Sequence, residues 1–131
     1  MSVRPECLAT SDGALISISI AVQPRDLESL LDALAALDYP VNPGIFHDAA
    51  VITRFADGRE VSEATTLVEF PAYSAWVEDV RRTLAARGFD PACMQTTAML
   101  EEIQSETHAE TIPDGAAYVS RYRVRRAGAA R

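Results

Sequence analysis

A histidine followed directly by an aspartate, His47-Asp48, is the most catalytic-looking dipeptide of this 131-residue sequence. Imidazole titrates near neutral pH, and a neighbouring carboxylate can orient the ring and favour its charged form. Adjacent side chains of a strand leave opposite faces, however, so the spacing predicts a structural or solvent-facing His47 rather than a general base. The second histidine, His108, lies in a polar stretch ahead of Pro113 and reads as a solvated loop residue. The acidic and histidine groups nearest to a ligand set, His47, Asp48, Glu101, Glu102, Glu106 and His108, share no recognised spacing, so the sequence predicts no metal site. Cys7 and Cys93 fit no metal-ligand spacing either and read as free thiols in a reducing cytoplasm. All 12 basic residues are arginine, which removes Schiff-base lysine chemistry. No cofactor motif is present, and the expectation is a protein that is not an enzyme. The runner-up is a small cofactor-independent enzyme with His47 as acid or base.

Binding chemistry is more widely distributed. Ser17, Ser19, Gln95 and Thr97, joined by Thr53 or Thr65, are predicted to line the sheet face away from the helices. A face of small polar groups can be a ligand floor or the packing surface of a second subunit, so a small-molecule ligand and a homodimer are expected there. Charge is uneven: residues 1–116 hold all 19 acids against seven arginines, a net −12, whereas residues 117–131 hold five arginines and no acid. Arg121, Arg123, Arg125, Arg126 and Arg131, interleaved with Tyr118 and Tyr122, have the composition of a nucleic-acid strand, but the acidic remainder repels a polyanion. Intramolecular or intersubunit pairing is the expectation, with no nucleic-acid partner. An adaptor that adds this arginine-rich strand to another protein's sheet is a third reading.

These groups must be placed by the periodic segments. Residues 1–13 carry no pattern and read as a loose arm. Ile16, Ile18, Ile20 and Val22 then alternate with Ser17, Ser19 and Ala21, as in a half-buried strand. Leu27, Leu30, Leu31, Leu34 and Leu37 recur at helical spacing behind Pro24, and Pro40, Pro43 and Gly44 end that helix. Two extended runs, 46–56 and 59–70, meet at Asp57-Gly58, which predicts a two-residue hairpin pairing Val51 with Ala64 and His47 with Val68, with an irregularity near 61–65. A second helix over 73–87 carries Tyr73, Trp76, Val77, Val80 and Leu84 on one stripe, with Gly88 as its stop. A mild strand over 93–100 follows. After a polar stretch, Tyr118, Ser120, Tyr122 and Val124 alternate with Val119, Arg121, Arg123 and Arg125, a fifth strand with one aromatic and one guanidinium face.

The order strand, helix, strand, strand, helix, strand predicts an α+β fold, a ferredoxin-like βαββαβ sandwich with both helices on one face of an antiparallel sheet. The whole chain reads as one domain with its core in residues 14–102. It resembles ACT-like regulatory domains, which bind amino acids at dimer interfaces, and dimeric α/β-barrel proteins. ACT domains usually carry a glycine after the first strand, where this chain has Val22-Gln23-Pro24-Arg25-Asp26, and no functional residue carries over from either group. The longest apolar stretch, Ala14 to Val22, is nine residues and too short to span a bilayer as a helix. A cytoplasmic protein without a membrane partner is expected.

Overall fold

The isoleucine alternation forms as expected. In the computed structural model, which describes residues 9–10, 13–99, 107–110 and 112–126, a two-residue strand β1, Ala9–Thr10, leads into β2, Gly13–Val22. Gly13 has φ +99°, and a Cβ built there would lie 2.0 Å from the Ser74 hydroxyl, which accepts the Ala14 N–H at 3.0 Å. Only glycine meets both demands. A 3-10 turn at Pro24–Asp26 opens helix α1, Leu27–Ala35, whose Leu30 and Leu34 are buried. Strand β3, Gly44–Phe55, and β4, Glu60–Tyr73, form the long hairpin, followed by α2, Val77–Ala86, and β5, Met94–Ala98. Short β6, Thr107–Ala109, and then β7, Tyr118–Val124, complete the elements among the described residues.

Ile18 and Ile20 of β2 pack with Val68 and Phe70 of β4, Met94 of β5, Leu30 and Leu34 of α1, and Val80 and Leu84 of α2. Each large aliphatic or phenyl side chain removed from water here contributes about 1.5–3 kcal/mol. Met94 lies on the helix side with Ile20, which settles the facing of β5: Gln95 and Thr97 turn the other way with Ser19 and Ser17.

The predicted two-layer sandwich is corrected by what lies beyond this core. The sheet does not stop at β3: five principal antiparallel strands, in the order β5-β2-β4-β3-β7 with β6 outside β7, curl into a half-barrel, and the structure is not a two-helix ferredoxin-like sandwich. The curl is measured by Arg123. Its strand, β7, lies three strand spacings from β2, about 14 Å across a flat sheet, yet its guanidinium donates to the Ser19 carbonyl at 2.8 Å. The face predicted to be open is therefore concave, and arginines from β7 fold over it.

Two irregularities accompany the curl, as bulges bend a strand and increase its twist. On β3, Phe46 opposes Leu67 while Ala49 opposes Thr65, so His47 and Asp48 together stand against Thr66. On β7, Tyr118 opposes Phe55 while Ser120 opposes Arg54, which leaves Val119 as the extra residue. The hairpin is also corrected. Phe55 and Arg59 close a three-residue loop, Ala56-Asp57-Gly58, with Gly58 at φ +89° and its N–H bonded to the Phe55 carbonyl at 3.0 Å. This is the type I turn with a left-handed third residue rather than a two-residue turn, and it moves Val51 opposite Glu63 instead of Ala64. Among the described residues no helix is long and apolar enough to cross a membrane.

Candidate functional site

The concave face collects the polar residues of four strands. Register places Ser17 beside Thr97 and Ser19 beside Gln95, so all four predicted ligand-binding residues share it. Ser17 and Ser19 are 2% and 5% exposed, and Ser19 is already engaged by the protein itself. Thr53 and Thr65 also lie on this face and are buried. The Thr65 hydroxyl donates to the Val22 carbonyl at 3.0 Å, and the Thr53 hydroxyl accepts from Arg121.

Three arginines of the C-terminal segment enter the same space. Arg121 and Arg123 oppose Thr53 and Val51, and Arg125 extends the alternation beyond β7. Arg123 is a brace. Its Nε donates to Glu110 Oε2 at 2.8 Å, one terminal nitrogen to the Ser19 carbonyl and hydroxyl at 2.8 and 3.1 Å, and the other to the Cys93 carbonyl at 2.8 Å. With side chains 3% and 9% exposed, Arg123 and Glu110 form a buried ion pair in which the cation ties the two ends of the open sheet together. Arg125 donates to Glu69 Oε1 at 2.7 Å, and its guanidinium carbon lies 5.3 Å from the Phe46 ring centre. Glu69 Oε2, the other carboxylate oxygen, is buried without a hydrogen-bond partner among the described residues.

Arg121 is different. Its guanidinium carbon stands 4.0 Å over the Tyr118 ring and its Nε donates to Thr53 Oγ1 at 3.0 Å, but no carboxylate pairs with it among the described residues. The β7 bulge makes this arrangement. Simple alternation put Tyr118 with Tyr122 on an aromatic face; the extra residue Val119 turns Tyr118 onto the guanidinium face, while Tyr122 stays opposite Ile52 on the other side. Arg121 and Arg123 line a polar cleft of about 220 Å³ together with Gln23, Glu63, Thr65 and Glu110.

His47 lies elsewhere, at the β3 bulge, with Asp48, Phe46, Arg125 and Arg126 around a cleft of about 380 Å³. The register shift at this point breaks the simple alternation, and both His47 and Asp48 line the cleft. Both are exposed, and no hydrogen bond joins them. Among the described residues no three histidine, cysteine or acidic side chains converge as a metal site would require. Glu101, Glu102, Glu106, Cys7 and Arg131 lie outside the described residues. The backbone of His108 pairs with Arg123 in β6, and its side chain is outside the description. Cys93 is a half-buried free thiol; burial pushes its pKa up, against the lowering influence of Arg123.

Sequence reasoning named Ser17, Ser19, Gln95 and Thr97 but missed Glu69, Glu110 and Gln23. The excess of arginine at one end and acid elsewhere was the available signal, and it specified the sign of the partners without their positions. The chain matches no family model, no curated protein and no solved structure.

Proposed function

We propose that this protein is a non-catalytic cytoplasmic binding module that takes a small molecule on the concave face of its half-barrel. The observation that carries this reading is the polar cleft that Arg121 lines with Gln23 and Glu63: its guanidinium is held by Thr53 and Tyr118, and its terminal nitrogens have no hydrogen-bond partner among the described residues. Buried polar groups ordinarily find partners within the fold, as Arg123 does; a held but unpaired donor at a cleft is the arrangement of a recognition site. Among the described residues no hydrogen bond orients His47, which favours binding over acid–base chemistry. Homodimerisation remains part of the proposal, but it must use a surface other than the concave face, which the arginines of β7 occupy.

The test is direct. Protein purified from its native cytoplasm and denatured should release a small molecule detectable by mass spectrometry, and returning that molecule should shift amide resonances of β3, β4 and β7 that flank the cleft. Resonance changes confined to the His47 bulge, abolished in His47→Gln together with any turnover, would instead support the acid–base alternative. Sedimentation equilibrium decides the dimer.

A further inference from the structure

We propose that Arg121 is the anchor of this site and that its ligand is a small monocarboxylate; the inference rests on the reading of the concave face as a binding surface and names what that surface selects. The guanidinium is prepared for a planar anion before any ligand arrives. Its Nε is bonded to Thr53 Oγ1 at 3.0 Å, one of its faces is covered by Tyr118 at 4.0 Å, and its two terminal nitrogens make no hydrogen bond with a described residue. Those two nitrogens form a fork that matches the two oxygens of a carboxylate, and a fork fixed by stacking loses less side-chain entropy on binding than a flexible cation does.

The neighbours narrow the class. Arg123 shares the cleft, but its charge is committed to Glu110. With the Arg123–Glu110 pair cancelling, Arg121 and Glu63 leave the cleft neutral before a ligand arrives, so a ligand of charge −2 adds two uncompensated charges. A singly charged acid adds only one such charge, and its carboxylate is the group the Arg121 fork can meet. The volume, about 220 Å³, lies below the roughly 300–1,000 Å³ of sites for drug-sized ligands, which limits the acid to a small one. Gln23 and Glu63 at the rim supply an amide and a carboxylate to accept from a donor on the ligand's other end. The bulge at Val119 is the structural cause of the anchor, because without it Tyr118 and Arg121 would leave opposite faces of β7.

The probes are acetate, lactate and benzoate, each paired with its neutral amide, and inorganic phosphate, titrated into the full-length protein while the Arg121 Nε–H and the β7 amides are followed by NMR at low ionic strength. The acids should shift Arg121 saturably and the amides should not. Arg121→Leu should weaken acid binding at least tenfold, Arg121→Lys should also lose most of it because the fork is gone, and Glu63→Gln should raise phosphate affinity severalfold. If Arg121→Leu does not fold, the Arg121→Lys and Glu63→Gln arms decide. Phosphate binding as tight as that of the acids in the wild type would overturn the monocarboxylate class. Saturable binding of the amides at the same resonances, unaffected by Arg121→Lys, would overturn the anchor while leaving the concave face a binding site. Absence of saturable shifts on the concave face with every probe would overturn the carboxylate anchor. The binding-module reading falls separately, if the purified protein also releases no small molecule on denaturation.

Discussion

The two sides of the same sheet are built on opposite physical principles. Toward the helices, Ile18, Ile20, Leu30, Val68, Phe70, Val80 and Leu84 are almost completely buried and interact without direction, so their stabilisation follows the area removed from water. Toward the concave side, Arg123, Glu110, Glu69, Thr53, Thr65 and Ser19 are nearly as buried, and each is held by a directed hydrogen bond or ion pair. The apolar side tolerates small shifts. On the polar side a displaced partner leaves a charge stranded in a medium that solvates it poorly, which makes that side precise but fragile.

The sharpest way to break the contrast is at Arg123. Arg123→Ala strands Glu110 and removes the tie to Ser19 and Cys93, and equilibrium unfolding in denaturant should show a loss of about 3–5 kcal/mol. The double variant Arg123→Met with Glu110→Leu should recover the part of that loss due to the stranded carboxylate, because an apolar pair needs no compensating charge, but not the part due to the donors lost to Ser19 and Cys93. A double variant as unstable as the single one would show that the brace shapes the half-barrel itself. On the other side, Leu30→Ala should cost about 2–5 kcal/mol by leaving a cavity between α1 and the sheet, with no dependence on added salt.

A smaller effect tests where the two principles meet. Thr66 is fully buried opposite the His47-Asp48 bulge, and its hydroxyl has no hydrogen-bond partner among the described residues. Thr66→Val keeps the shape and removes an unsatisfied polar atom, so it should stabilise by about 1–3 kcal/mol in the same unfolding measurement. Destabilisation would mean that the hydroxyl takes a partner in solution.

The smallest expected effect is a pH slope. Burial favours the neutral Cys93 thiol, so the folded protein releases that proton at a higher pH than the unfolded chain does. The contribution is complete below the ordinary thiol pKa of about 8.5 and declines as pH rises through it toward the raised folded value. The stability difference between wild type and Cys93→Ala, read from thermal unfolding, should therefore shrink above about pH 8.5. A constant difference would place the thiol in water.

The helix-side core was legible in advance because periodicity carries it. Alternating isoleucines and helically spaced leucines each declare a face from neighbours a few residues away, and Leu30, Leu34, Val80 and Leu84 are buried where that spacing put them. The polar face was legible as a set of residues, Ser17, Ser19, Gln95 and Thr97 among them, without its purpose. Its closing partners come from far along the chain: Arg123 meets Ser19 across 104 positions and Arg125 meets Glu69 across 56. No local pattern encodes such pairs.

What the sequence determined by itself was the order of elements, the apolar face of each, and an arginine-rich end that needed acidic partners. Only the tertiary structure decided that the predicted fifth strand docks beside β3, and that the sheet curls and covers the face that two helices leave open. The physical reason lies in two inserted residues. One extra residue at His47-Asp48 and one at Val119 change strand twist and side-chain facing by a full alternation, yet neither is marked by a glycine or proline. Whether a β-branched or charged residue is taken up into a ladder or pushed out of it depends on the strand beside it, and that neighbour exists only once the chain has folded.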